Sequence, residues 1–291
     1  MIHYRKLMDW KFEDIEHHYT SDFSMLYALS IGVGADPLDE RQLRFVNDVE
    51  EGTPLAMPTL STVIGFPGTW MRHPDTGIDV LKMVHGEEHI ALHAPMPAAG
   101  RVIARHRVTR IVDKGEGRGA TVTYEKLLFD AQTQAKLATV THTTFCRGNG
   151  GFSAHDGLTD TPAAPPAKVP DGPPDQIFDV ATLAQQALLY RLLADRNPLH
   201  SVPAVARAAG FEKPILHGLC TYGIAGYALV AAYGDYDPSR LKTLFTRFTA
   251  PVMPGETVRM EMYRQATGVA FRARVLERNT VVLDSGYAEF Q

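Results

Sequence analysis

Two cysteines, Cys146 and Cys220, are all that 291 residues contain. They stand far apart in sequence, so no disulfide framework can be read from them, and so few thiols fit a reducing compartment. Also missing is any apolar run near the ~18 residues that a bilayer span needs. The opening Met1-Ile2-His3-Tyr4-Arg5-Lys6 does not lead into the apolar core of a signal peptide. The closing Glu289-Phe290-Gln291 is not a peroxisomal tripeptide. A cytoplasmic location is expected by elimination, with no membrane partner. There is no basic block, and the formal net charge is −4, so nucleic acid is not an expected partner. Gly32-Val33-Gly34 and the glycines 148, 150 and 151 lack the strand–helix context of a dinucleotide site. What is present is ordinary for a globular chain: 45% apolar and 21% charged residues, in a length that suits one large domain or two. A core of that size needs no disulfides.

One stretch departs from the average composition. Residues 148–175 hold Pro162, Pro165, Pro166, Pro170, Pro173 and Pro174. Proline at that density forbids a helix or a central strand, so the stretch reads as a linker. It divides the chain into an N-terminal unit, 1–147, and a C-terminal unit, 176–291. The two units share a rhythm. Ala94, Pro95 and Val102 in the first recur as Ala250, Pro251 and Val258 in the second at one constant offset, each set followed by strand–turn–strand text. This is the mark of an internal duplication.

In the second unit helical text precedes strands. Residues 181–193 have helix-forming composition, with Leu183, Ala187, Leu188 and Leu192 on one face. Pro203 to Ala209 suits a short helix with proline in its first turn and Gly210 past its end. Residues 218–233 are apolar nearly all round, as a buried helix would be, and Gly234 can end them. Strands are expected at 177–180, 241–248, 256–265, 269–278 and 281–290. The first unit repeats this order with a weaker framework: a helix over 23–32, strands at 89–91, 101–112, 120–129 and 138–145, and only 60–65 where the long helix should lie. Gly65, Pro67 and Gly68 cut that segment short. The fold class read from this pattern is α+β: two curled antiparallel sheets, each around a central helix, the N-terminal helix degraded.

The densest chemistry lies in Asp195-Arg196-Asn197-Pro198-Leu199-His200. Pro198 stops the preceding helix and pushes Asn197 toward extended backbone. The segment must turn, and a turn can bring Asp195 and His200 to one point. Such a pair serves any reaction in which one proton leaves water and another reaches carbon. Asn197 can fix the carboxylate or the water without titrating. The same string also suits a plain helix-ending turn, with Asn197 an ordinary residue before proline. Further on, Gly218 in Leu216-His217-Gly218-Leu219-Cys220 opens the buried helix. A helix start presents unpaired N–H groups and partial positive charge. The Gly218 N–H is therefore a candidate donor to a developing oxyanion. Close helix packing is the alternative reason for a glycine there.

These strings resemble a known family. Tyr190-Arg191-Leu192, Asp195 to His200, Gly210-Phe211 and Lys213 to Thr221 are similar to the type-2, (R)-specific enoyl-CoA hydratases of MaoC-like type. Arg247-Phe248 with Pro251 to Gly255 continues the likeness. His85-Gly86-Glu87-Glu88, Pro95-Met96-Pro97 and Asp113-Lys114-Gly115 resemble the first half of the two-domain members. The resemblance implies a double hot-dog fold, catalysis in the second half, and a first half emptied to house bulky acyl chains. It implies Asp195 and His200 as the acid/base pair, Asn197 as their orienting partner and Gly218 as the oxyanion donor. It implies a CoA-thioester substrate, no cofactor and a homodimer. His85 and Gly86 are expected near the CoA path. Arg247 is read equally as a CoA-phosphate partner or as cover for a sheet edge. Ala194, and Ser201-Val202 after the histidine, depart from the family pattern.

Other signals are discounted. His85, Glu87 and His89 would share one strand face, but hydration by an acid/base pair needs no metal, and none is expected. Cys220 reads as a core residue, and His17-His18 as solvated surface. Two other functions stay open: a hot-dog acyl-CoA thioesterase, and a non-catalytic acyl-CoA-binding subunit.

Overall fold

The computed structural model describes residues 1–49, 52–155, 157–193 and 195–291; Ala194 lies outside the described residues. Ten strands are formed: β1 (Ile15–Tyr19), β2 (Met83–Leu92), β3 (Gly100–Asp113), β4 (Ala120–Asp130), β5 (Lys136–Cys146), β6 (Gln176–Ala181), β7 (Leu241–Phe248), β8 (Thr257–Gln265), β9 (Gly268–Val275) and β10 (Thr280–Phe290). Six α-helices accompany them: α1 (Tyr4–Met8), α2 (Ser21–Ser30), α3 (Glu40–Leu43), α4 (Gln186–Tyr190), α5 (Pro203–Ala208) and α6 (Gly218–Tyr233).

The strands form one antiparallel sheet in the order β1-β3-β4-β5-β2-β7-β10-β9-β8-β6. In each half the sequence order of the neighbours is first, third, fourth, fifth, second. The duplication seen as a rhythm in the sequence is thus a duplication of topology. The two copies join where their second strands pair, with Glu87 opposite Arg247 and Ala91 opposite Thr243. Alternating burial along β8 and β9 puts Val258, Met260, Met262, Phe271 and Ala273 on the inner face. That face closes on α6, whose residues 220–230 are all buried. This is the double hot-dog arrangement.

In the first half a 3-10 helix, Pro58–Thr62, stands where the second half has α6. It ends as Gly65 turns through φ +63°, where an added Cβ would lie 2.4 Å from the Ala104 Cβ. The halves nevertheless share a core. A Cβ on Gly226 of α6 would come 2.5 Å from Thr59 Cγ2, and one on Gly223 2.6 Å from Ile31 Cγ2. First-half residues such as Tyr27, Ile31 and Leu60 sit in one apolar cluster with Met260 and Leu283. A smaller cluster around Leu7, Met71, Ile111 and Val122 lies apart.

Several elements differ from the sequence reading. The helix expected over 181–193 is only the single turn and a half of α4. Leu183, Leu188 and Leu192 are 48%, 51% and 50% exposed, while Gln186, Ala187, Tyr190 and Leu193 are buried. The Thr182 hydroxyl donates to the Glu256 carbonyl and the Leu183 N–H to the Gln186 side-chain oxygen, which holds the entry as a turn. Gln186 then donates to the Ser30 carbonyl, and this fixes a face one step round from the leucine stripe. The strand expected at 89–91 runs from Met83. The short elements β1 and α1 carry no strong periodicity and were not foreseen. His17, read as solvated, is half-buried on β1 against the rings of Tyr19 and Phe23.

Gly226→Val tests the close contact between halves. Overpacking against Thr59 is expected to cost about 1–3 kcal/mol and to lower the melting temperature by several degrees. An unchanged melting temperature would show that the helix has room there.

Candidate active site

Beyond α4 the chain passes through Asp195 and enters a short 3-10 helix, Pro198–His200. Pro198 begins it, and Asn197 before it is extended at φ −54°, ψ 124°. The Asn197 side-chain oxygen accepts from the Leu199 N–H at 3.1 Å and caps the turn. Its backbone N–H donates to Asp195 Oδ1 at 2.8 Å. Asn197 thus orients the carboxylate through its main chain, not its amide.

His200 is buried. Its Nδ1 lies 2.9 Å from the Ile215 carbonyl oxygen. A carbonyl only accepts, so Nδ1 carries the hydrogen and the neutral ring keeps its lone pair on Nε2. Burial pulls the imidazole pKa down, against the weaker opposing pull of the Ile215 carbonyl and the Asp195 charge. Nε2 stands 4.0 Å from Asp195 Oδ2. That gap is too long for a direct hydrogen bond, but a water about 2.8 Å from both atoms would subtend roughly 90° between them. Two acceptors therefore converge on a position for one water.

His217 was not singled out from the sequence. Its ring stacks on His200 with centroids 3.7 Å apart and planes at 26°. Its Nε2–H donates to the Asp195 backbone oxygen at 3.0 Å. Burial, with His200 beside it, holds its pKa near 3. A neutral imidazole thus ties the Asp195 main chain to the residue that precedes α6. Its position immediately before the helix-opening glycine was the available signal.

Gly218 opens α6, and its N–H has no acceptor among the described residues. A Cβ there would lie 3.3 Å from the Phe248 ring. Phe248 in turn lies against His85, ring centroids 4.3 Å apart. Asp195, Asn197, His200 and Gly218 are thus gathered around His217, and His85 reaches the group through Phe248. The register of β2 slips between His85 and Glu87, at Gly86, whose added Cβ would meet the Thr143 carbonyl oxygen at 3.1 Å. The slip turns His85 onto the inner face, where its Nε2 is 2.9 Å from Glu88 Oε2. Glu87 instead pairs with Arg247, and His89 packs near Phe245. The shared face expected for 85, 87 and 89 is therefore not formed. Arg247 lies on the face of β7 opposite Phe248 and is not brought to Gly218. Nor does it cover an edge, since β7 is flanked by β2 and β10. Cys220 is fully buried, donates to the Ser30 carbonyl, and has its thiol pKa pushed far up by burial.

Two family descriptions divide the chain. Residues 17–148 match the MFE-2 hydratase 2 N-terminal domain, and residues 166–285 match the MaoC like domain. The chain belongs to the MaoC-like hydratase 2 family. A 3-hydroxyacyl-thioester dehydratase Y of Mycobacterium tuberculosis is 38% identical over 96% of this chain and 95% of its own. A probable enoyl-CoA hydratase 2 of Dictyostelium discoideum is 35% identical over 98% and 95%. The crystal structure of a MaoC-like dehydratase from Phytophthora capsici superposes with a TM-score of 0.85 at 28% identity, covering 100% of this chain and 99% of that one.

The tautomer of His200 is open to measurement. Nitrogen-15 spectra at pH 7 should show Nδ1 protonated and Nε2 bare, with a titration midpoint below the ordinary 6.5. His85 and His106 near 4 and His217 near 3 shift the same way, so the folded state takes up fewer protons than the unfolded one. The part of stability that these histidines contribute should be complete above pH 6.5 and fall as pH drops from there toward 4. A melting temperature that rises over that interval would contradict the assignment.

Proposed function

We propose that this chain adds water reversibly to trans-2-enoyl-CoA thioesters, giving (R)-3-hydroxyacyl-CoA. The observation that carries this reading is the 4.0 Å separation of Asp195 Oδ2 and His200 Nε2 beside the start of α6. Water held between them loses a proton to the pair as its oxygen attacks C3. Negative charge then develops on the thioester oxygen, where the unpaired Gly218 N–H and the positive end of the helix stabilise it. The pair returns a proton to C2, and the reverse steps dehydrate the product. The stereochemistry follows the relatives named enoyl-CoA hydratase 2.

In this reading residues 176–291 carry catalysis, residues 148–175 connect, and residues 1–147 house the acyl chain. The replacement of a long helix by one 3-10 turn supports that division. His85 and Gly86 border the acyl path through Phe248, while Arg247 ties the halves together through Glu87. The half-exposed Leu183, Leu188 and Leu192 offer an apolar surface to a second copy, which supports a homodimer. Both cysteines are free and buried, in keeping with a reducing compartment such as the cytoplasm.

Asp195→Asn and His200→Gln should each lower kcat for crotonyl-CoA hydration by about 10²–10⁴-fold while leaving the melting temperature within a few degrees. Loss of the 2-enoyl absorbance reports hydration. Turnover at the wild-type rate in either variant, or release of free CoA thiol without hydration, would reject the assignment.

A further inference from the structure

The inner face of the first half is apolar at Ile90, Ala104, Leu128 and Val140, but it also carries a group of polar side chains: Glu88 on β2, His106 on β3, Lys126 on β4 and His142 on β5. These side chains line a cavity of about 30 Å³ under the 3-10 helix, with Leu219 in its wall. Leu219 follows Gly218 directly, so one helical residue separates the cavity from the proposed oxyanion donor. The volume has room for about two water molecules.

The cluster is built from few, well-fixed contacts. Lys126 is 4% exposed and Glu88 1%. The ammonium of Lys126 donates to the Thr62 and Ile64 carbonyls at 3.0 and 2.7 Å, which leaves its third N–H uncommitted among the described residues. Glu88 Oε2 accepts from His85 Nε2 and His142 Nδ1, each at 2.9 Å. Both ring nitrogens of His106 are buried; the Gly65 main chain lies beside the ring, but neither nitrogen makes a well-formed hydrogen bond among the described residues. Burial of these groups costs free energy that an aliphatic guest would not recover.

The charges restrict the guest. Glu88 stays ionised between two imidazoles, while burial draws the Lys126 pKa down to about 7 and lowers those of His85 and His106. A carboxylate would bring a second anion beside Glu88. A divalent cation at His85, Glu88 and His142 would sit in the same cavity as an ammonium, on a carboxylate oxygen already shared by two imidazoles. A hydroxyl meets both needs: it accepts from Lys126 or His106 and donates to a carboxylate or a bare ring nitrogen. Resting on the hydratase reading, we propose that the substrates are enoyl-CoA thioesters whose acyl group carries a hydroxyl remote from the double bond, and that the Glu88–His106–Lys126 cavity binds it.

The test compares kcat/KM for two enoyl-CoAs of the same carbon skeleton, one bearing a distal hydroxyl and one bearing hydrogen there, with an ω-carboxylated thioester as a third. Wild-type enzyme should favour the hydroxylated substrate at least tenfold over both. Lys126→Met and His106→Phe should each reduce that preference toward unity while still turning over the deoxy substrate. Two variants are used so that one misfolded protein leaves the other to decide. Equal rates on the hydroxylated and deoxy substrates, preference for the carboxylate, or a preference unchanged in both variants would overturn the proposal while leaving the hydratase reading intact. Absence of turnover on every thioester would overturn both.

Discussion

The hydrogen bond from His217 to the Asp195 main-chain oxygen fixes where the chemistry can occur. It joins two loops that the sequence separates by a short helix and a proline-containing segment. One loop carries the acid and the imidazole, and the other opens α6. Because His217 also stacks on His200, the imidazole of the proposed pair lies against the residue that precedes the helix. A neutral imidazole suits this task. A charged one would be buried against the His200 ring, and desolvation outweighs what the nearby Asp195 offers that state.

That local arrangement needs a rigid floor, and the seam between β2 and β7 supplies it. A single hot-dog unit would leave the second strand of its sheet as a free edge. Pairing the two copies through those strands removes both edges and lays Phe248 of one half against His85 of the other. The exposed Glu87–Arg247 ion pair marks the seam without supplying much stability of its own. The apolar cluster beneath, which runs through both halves, is what makes them one body.

Legibility in the sequence followed periodicity. The long helix was readable to the residue because all its faces are apolar and a glycine stands at each end. The second-half strands were readable because one face is buried and the other wet. The catalytic string was readable because proline constrains its neighbours. Three features were not. The leucine stripe at 183–192 pointed outward because hydrogen bonds from Thr182 and Gln186, both to partners distant in sequence, set the face of α4. The inward turn of His85 depends on a register slip at Gly86, which simple alternation cannot show. The Asn197 side chain suits the carboxylate or the water by its chemistry, but capping a 3-10 turn claims its oxygen, and its main-chain N–H is what meets the carboxylate.

The degraded helix of the first half also changes what its sheet can carry. A long helix seals an inner face, so side chains on that face must be apolar or hydrogen-bonded to pack. With only Pro58–Thr62 above it, the same face has uncovered space and two free carbonyls, those of Thr62 and Ile64, which face inward. Those carbonyls need donors, and Lys126 reaches them from the sheet opposite. A lysine there then favours a carboxylate nearby, and Glu88 in turn favours the two imidazoles that bond it. The polar cavity is thus a physical consequence of shortening the helix, each group satisfying the one before it. The chain of compensation is weakest at His106, whose nitrogens make no well-formed hydrogen bond among the described residues, and that is where the proposed hydroxyl would find a partner.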